Sequence, residues 1–207
     1  MKLTKLLERL DYKVVAGSDN IEITELVNDS RKVVPDSAFV CISGAVSDGH
    51  QYVKDVAEKG AAAVIVEKDV EVPEGLTVIK VENTRYALAL MSAAYFGYPA
   101  EKLKTIGITG TKGKTTTTYM VKAILEEVGH KVGLIGTIEA IIGDKTIPSN
   151  NTTPESYTIQ KYFAQMVEAG CDCVVMEVSS QGLMLHRTAG IMFDIGIFTN
   201  LGEDHIG

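Results

Sequence analysis

The run Gly107-Ile108-Thr109-Gly110-Thr111-Lys112-Gly113-Lys114-Thr115-Thr116-Thr117-Thr118 holds the residue types that bind phosphate. Glycines let the backbone turn sharply and bring its N–H groups close to phosphate oxygens, and a helix starting near Lys114 adds the positive end of its dipole. Lys114 supplies a point charge for the β- and γ-phosphates, and the Thr115 hydroxyl is placed to sit on Mg²⁺. The strict pattern, glycine then four residues then Gly-Lys-Thr, calls for glycine at 108, where this chain has Ile108.

Two further polar clusters follow apolar runs, Glu177-Val178-Ser179-Ser180 and Thr199-Asn200-Leu201-Gly202-Glu203-Asp204-His205. A carboxylate such as Glu177 at the end of a strand in a nucleotide-binding sheet is placed to hold Mg²⁺, directly or through water. His205 is a second candidate ligand, although a lone histidine is more often structural. Asn151-Thr152-Thr153-Pro154 reads most simply as a helix start with proline in the first turn. Ser30-Arg31 either binds an anion or closes a turn. For Arg187 the plainer reading is a surface salt bridge.

These residues need a scaffold of strands and helices. Residues 1–100 read as a small α/β unit. A helix is expected near residues 2–9 and strands at Val14-Val15, over 21–27, 38–42, 61–66 and 77–81. Further helices are expected over 51–59 and 84–96. Gly97-Tyr98-Pro99 marks a boundary, and residues 101–207 form a second unit. There the pattern is strand, phosphate loop, helix, a strand over 131–136, a hairpin through Gly143-Asp144, a helix over 155–169, and apolar strands over 173–178 and 194–200. Alternating strands and helices argue for right-handed βαβ units and a mainly parallel sheet, with ligands at the carboxyl ends of its strands. The three polar clusters should meet there.

The 207 residues are 45% hydrophobic with a net charge of −7, enough for proper cores. Scattered Lys and Arg on an acidic chain argue against nucleic acid as a partner. No apolar run reaches the length of a membrane span, and Met1-Lys2-Leu3-Thr4-Lys5 does not read as a signal peptide. Cys41, Cys171 and Cys173 sit in apolar strand-like settings, which suits a cytoplasmic protein with buried thiols. A metal site at Cys171-Asp172-Cys173 finds no neighbouring histidine in the sequence.

Taken together, Thr109-Gly110-Thr111-Lys112-Gly113-Lys114-Thr115, Asn151-Thr152-Thr153-Pro154, Met176-Glu177-Val178-Ser179-Ser180 and Phe198 through His205 resemble the Mur ligase family, and within it the MurE type. Asp29-Ser30-Arg31, Phe39-Val40 and Asp48-Gly49-His50 resemble that type's amino-terminal UDP-binding domain. The resemblance implies a small α/β UDP-binding domain followed by a P-loop nucleotide-binding domain. The implied activity is a cytoplasmic, ATP- and Mg²⁺-dependent amide ligase of peptidoglycan synthesis. Its substrates would be UDP-N-acetylmuramoyl-L-alanyl-D-glutamate and a diamino acid, meso-diaminopimelate ahead of L-lysine, joined through an acyl phosphate.

By the same resemblance Gly110, Thr111, Lys112, Gly113, Lys114, Thr115 and Thr116 bind ATP. Thr115, Glu177 and His205 hold metal, and Lys114, Glu177 and His205 are catalytic. Asn151, Thr152, Thr153, Ser179 and Arg187 contact the muramoyl peptide, with Ser30 and the 45–47 loop near the uridine. Gln181 stands where many members have histidine, and Leu185 where the family can have glutamine. In the family the central domain continues beyond Gly207 to a carbamylated lysine, and a carboxyl-terminal domain supplies the amino-acid site. The expectation is therefore an amino-terminal part, monomeric and unable to complete ligation alone. Alternatives are a MurF-type or cyanophycin-synthetase-like ligase, a folylpolyglutamate synthase, or a non-catalytic UDP-sugar-binding fragment.

Overall fold

The computed structural model describes residues 1–44 and 47–203, and the chain divides into two compact units, Met1–Tyr95 and Phe96–Gly207. Each unit is an α/β layer structure.

The first unit runs α1 (Leu3–Leu6), β1 (Lys13–Ala16), β2 (Leu26–Val27), β3 (Ala38–Val40), α2 (Val53–Glu58), β4 (Ala63–Val66), β5 (Thr77–Lys80) and α3 (Thr84–Tyr95). Its sheet has the order β1-β5-β4-β3-β2, parallel except for β1, which runs against β5. The central strands β3 and β4 are buried at every residue, as continuous apolar runs in a parallel sheet must be. Val53 and Val56 of α2 pack with Phe39, Val64 and Val78. The expected strand over 21–27 shrinks to Leu26–Val27. The alternation of Ile21, Glu22 and Ile23 comes instead from pairing with the amino terminus, through Leu3 N–H to Ile21 O at 2.9 Å and Ile23 N–H to Met1 O at 2.7 Å.

The second unit runs β6 (Lys104–Thr109), α4 (Lys114–Glu127), β7 (Val132–Ile135), β8 (Glu139–Ile142), β9 (Lys145–Pro148), α5 (Ser156–Glu168), β10 (Cys173–Glu177), α6 (Ser180–Met184) and β11 (Ile195–Phe198). Strand order is β11-β6-β10-β7-β8-β9. The first four are parallel, and the two-residue turn Gly143-Asp144 folds β9 back on β8. The short helix α6 is absent from the sequence reading because five residues hold too little periodicity to detect.

Helices cover both faces, and the period of two assigns each β10 side chain to one of them. Val174, Met176 and Val178 face Ile159, Phe163 and Met166 of α5. Cys173 and Val175 join Ile106, Ile108 and Val132 under Val121 and Leu125 of α4. By the same alternation Glu177 faces α4. The register aligns Glu177 with Ile108, Met176 with Ile135, and Phe198 with Thr109, so β6, β7, β10 and β11 end level and present their loops along one edge.

Candidate active site

The loop between β6 and α4 has the backbone its sequence demands. Gly110 has φ 132° and Gly113 φ 82°, and a Cβ on Gly110 would run into the Thr199 hydroxyl. Gly113 caps α4 without a side chain, so the N-cap position offers the first-turn amides of the helix no side-chain acceptor. This is the usual condition of an anion-binding helix start. Buried Thr118 satisfies its hydroxyl by donating to Lys114 O, one turn earlier, at 2.7 Å. Lys114 folds back over the loop, with Nζ 2.7 Å from Gly110 O and 3.1 Å from Thr111 O.

The segment after β11 latches this loop. Thr111 N–H donates to Asn200 O at 2.9 Å, and the Asn200 side chain accepts from Lys112 N–H and donates to Lys112 O, both at 3.0 Å. The Thr199 hydroxyl donates to Lys112 O at 2.7 Å, and Gly202 N–H to the Thr111 hydroxyl at 2.9 Å.

Glu177 is 1% exposed. Its Oε2 accepts from the hydroxyls of Thr115 at 2.9 Å and Thr137 at 3.0 Å, and its Oε1 from Thr137 N–H at 2.8 Å. All of these donors are neutral. Gly136 makes the approach possible, since a Cβ there would lie 2.5 Å from Glu177 Oε1. A buried carboxylate beside two hydroxyls is an all-oxygen set of the kind Mg²⁺ prefers, so the residues fit that ion. Next to it Tyr119 donates to Glu139 Oε1 at 2.8 Å. Burial, with the Glu139 carboxylate and the charge of Glu177 behind it, pushes the phenol up to about 12.

Asn151, Thr152 and Thr153 reach the same edge. The Thr152 hydroxyl lies 3.0 Å from that of Thr137. Buried Thr153 donates to Glu177 O at 3.0 Å and accepts from Ser179 N–H at 2.9 Å, joining its segment to the end of β10. Ser179 caps α6 by accepting from Gly182 N–H at 3.0 Å. Arg187 lies off the surface, with a side chain 12% exposed. It donates to Thr153 O at 2.9 Å and to Glu155 Oε1 at 2.6 Å, while its Nε is buried with no partner among the described residues.

The structure therefore gathers the loop residues 110–116, Glu177, the 151–153 segment, Ser179 and Arg187 along one sheet edge. His205 lies outside the described residues, as do Ala45 and Val46. Sequence reasoning passed over Thr137, which supplies two of the three donors to the Glu177 carboxylate among the described residues. Its signal was a Gly-Thr pair directly after the apolar strand β7.

Ser30 belongs to the first unit, in a single 3₁₀ turn (Ser30–Lys32) capped by Asp29, and its carbonyl accepts from Lys59 Nζ at 3.0 Å. The Arg31 guanidinium and then its backbone N–H hold Asp29 down to about 2. In the same unit Asp48 accepts from His50 Nδ1 and Lys68 Nζ, both at 2.6 Å, while His50 Nε2 accepts from Glu67 N–H at 3.1 Å. The Glu67 carboxylate accepts from Ser43 Oγ and from Thr84 N–H and Oγ1, each at 2.8 Å. This network ties the ends of β3 and β4 to the start of α3.

Comparison with known proteins agrees with these features. The Mur ligase family, catalytic domain, matches residues 22–96, and the Mur ligase middle domain matches residues 108–207. The UDP-N-acetylmuramoyl-L-alanyl-D-glutamate--2,6-diaminopimelate ligase of Clostridium perfringens is 50% identical over 206 residues, which is 100% of this chain and 43% of that protein. The chain thus spans less than half the length of such relatives. A solved structure of a UDP-N-acetylmuramoyl-L-alanyl-D-glutamate--2,6-diaminopimelate ligase shares the fold with a TM-score of 0.83 at 21% identity, over 100% of this chain and 42% of that one. A Thermotoga maritima MurF ligase in complex with ADP does so with a TM-score of 0.57 at 22% identity, over 88% and 38%. With one family matched across both units, and the phosphate loop, buried carboxylate and threonine segment on one sheet edge, the chain belongs to the Mur ligase family.

Proposed function

We propose that this chain forms the UDP-substrate-binding and ATP-binding parts of an amide ligase of peptidoglycan precursor synthesis. That ligase joins meso-diaminopimelate to UDP-N-acetylmuramoyl-L-alanyl-D-glutamate. The observation that carries the reading is the bond between Thr115 of the phosphate loop and Glu177, which puts a buried carboxylate beside that loop. Ligases of this family depend on ATP, and the 50% identical relative is named for the diaminopimelate reaction.

In this reading the amides of Gly110 to Thr116 cradle the phosphates of ATP, and Lys114 leaves its two carbonyl partners to pair with them. Thr115 and Glu177 hold Mg²⁺, with His205 a further ligand. When bound, Mg²⁺ would supply positive charge beside the transferring phosphoryl group, and Lys114 adds its own charge to the same phosphates, which is the kind of stabilisation from which most of the catalysis of phosphoryl transfer arises. Asn151, Thr152, Thr153, Ser179 and Arg187 form the wall for the muramoyl peptide, and Ser30 lies in the uridine-binding domain. Residues 1–100 and 101–207 are the corresponding domains, and the amine is supplied by a part of the enzyme outside this chain.

Thermal-shift titration of the chain tests this. UDP-N-acetylmuramoyl-L-alanyl-D-glutamate, and ATP with Mg²⁺, should each raise Tm. Stabilisation by the tripeptide precursor instead would identify a MurF-type ligase. Stabilisation by folates alone would refute the proposal.

A further inference from the structure

At the opposite end of the second sheet, the turns entering β7 and β10 bring together three side chains that are distant in sequence. His130, Asp172 and Cys173 each place a potential ligand atom within 4.8 Å of the others. The register fixes this meeting, because Cys173 pairs with Val132, two residues after His130. His130 Nδ1 lies 2.6 Å from Asp172 Oδ2, and Lys131 N–H donates to Asp172 Oδ1 at 2.9 Å. The sequence alone left Cys171-Asp172-Cys173 without a histidine, and the fold supplies one.

We propose that His130, Asp172 and Cys173 form a binding site for a divalent ion of the Zn²⁺ class. An imidazole nitrogen, a thiolate and a carboxylate are the three ligand types that Zn²⁺ takes, and three protein ligands leave a fourth position for water. Exposed His130 and Asp172 give the ion a way in, and Cys173 is packed among Ile106, Ile108, Val132 and Val175. The Lys131 amide steadies the carboxylate as a hydrogen-bond partner behind a ligand does. Cys171, two residues away, belongs to the opposite face of the sheet with the α5 core and takes no part.

This site is separate from that of Glu177. Three residues of β10 lie between Cys173 and Glu177, a separation of roughly 13 Å along the strand. The two sites also differ in chemistry, since only the one at His130, Asp172 and Cys173 offers a soft sulfur ligand. Ion binding balances simply. The thiolate is the ligand form of cysteine, so the ion enters as the Cys173 thiol proton leaves for solvent. His130 offers Nδ1 to the ion with a proton on Nε2.

An ion pair between two turns is the competing account, and it has no use for the thiol. Cobalt titration of the full chain separates the two. Co²⁺ should give a thiolate-to-metal charge-transfer band that saturates at one equivalent, is displaced by Zn²⁺ and is unaffected by excess Mg²⁺. Cys173→Ser should abolish the band, His130→Gln should weaken Co²⁺ affinity at least ~10-fold, and Cys171→Ser should leave it unchanged. If Cys173→Ser does not fold, as judged by circular dichroism, His130→Gln at an exposed position carries the test. No charge-transfer band in the folded wild-type chain, a band that survives Cys173→Ser, or unaltered affinity in His130→Gln would overturn the site.

Discussion

The Thr115 hydroxyl donates to Glu177 Oε2 at 2.9 Å, joining the first turn of α4 to the end of β10. Among the described residues the other donors to this carboxylate are the Thr137 hydroxyl and amide. Glu177→Gln keeps the volume, and the two hydroxyls can rotate to accept where they now donate, while the Thr137 amide fixes the orientation of the new side chain. Stability should change by no more than about 1 kcal/mol, a shift of a few degrees in Tm. The Mg²⁺-dependent part of the stabilisation by ATP should disappear. A full Mg²⁺-dependent shift in Glu177→Gln would remove Glu177 from the cation site.

Gly136→Ala tests the close approach. The added Cβ would sit 2.5 Å from Glu177 Oε1, so the carboxylate or the β7 end must move. The expected cost is about 1–3 kcal/mol by chemical denaturation, with weaker ATP binding in the same variant. Wild-type values for both would show that the site has room the structure does not contain.

Thr153 tests how the substrate segment is held. Its buried hydroxyl serves both Glu177 O and Ser179 N–H, so Thr153→Val leaves two backbone groups unpaired at a cost of about 1–3 kcal/mol. Thr153→Ser keeps the hydroxyl and should lie much closer to wild type. Equal loss in both variants would mean that the methyl group, in contact range of Gly182, matters more than the hydrogen bonds.

Acid should weaken the first unit through Asp48. Lys68, then His50, hold its carboxyl well below the usual range, whose ordinary value is 3.8. A carboxylate with a depressed folded-state pKa contributes stability above its unfolded value and loses it as pH falls toward the folded one. Stability should therefore drop below about pH 4, and more shallowly in Asp48→Asn, as followed by Tm between pH 7 and 3. Parallel curves would place the acid sensitivity elsewhere, Asp29 being next, since it too is held down, to about 2.

Much of this was legible in the residues. Phosphate-loop glycines, four apolar strands and the carboxylate at the end of one of them declare themselves locally, and a parallel sheet converts level strand ends into a single edge. What escaped depends on contacts between distant segments. Thr137 looks like a hairpin residue until β7 is laid beside β10. Arg187 reads as a surface charge, yet it is enclosed by its bonds to Thr153 and Glu155, 34 and 32 residues earlier. The 21–27 alternation misled because one-sided burial against the amino terminus leaves the same period as a sheet strand.

The latch over the phosphate loop has a consequence in time. The donors and acceptors at Thr199, Asn200 and Gly202 follow the loop residues they hold by 87 to 91 positions. At roughly 5–20 residues per second of synthesis, the helix start at Lys114 exists for several seconds before its latch has been made. Strand β6 likewise waits for β10 and β11 on its two sides. A nascent chain stopped before Thr199 holds the whole Gly-Lys-Thr motif and still lacks the bonds from Thr199, Asn200 and Gly202 that close over it.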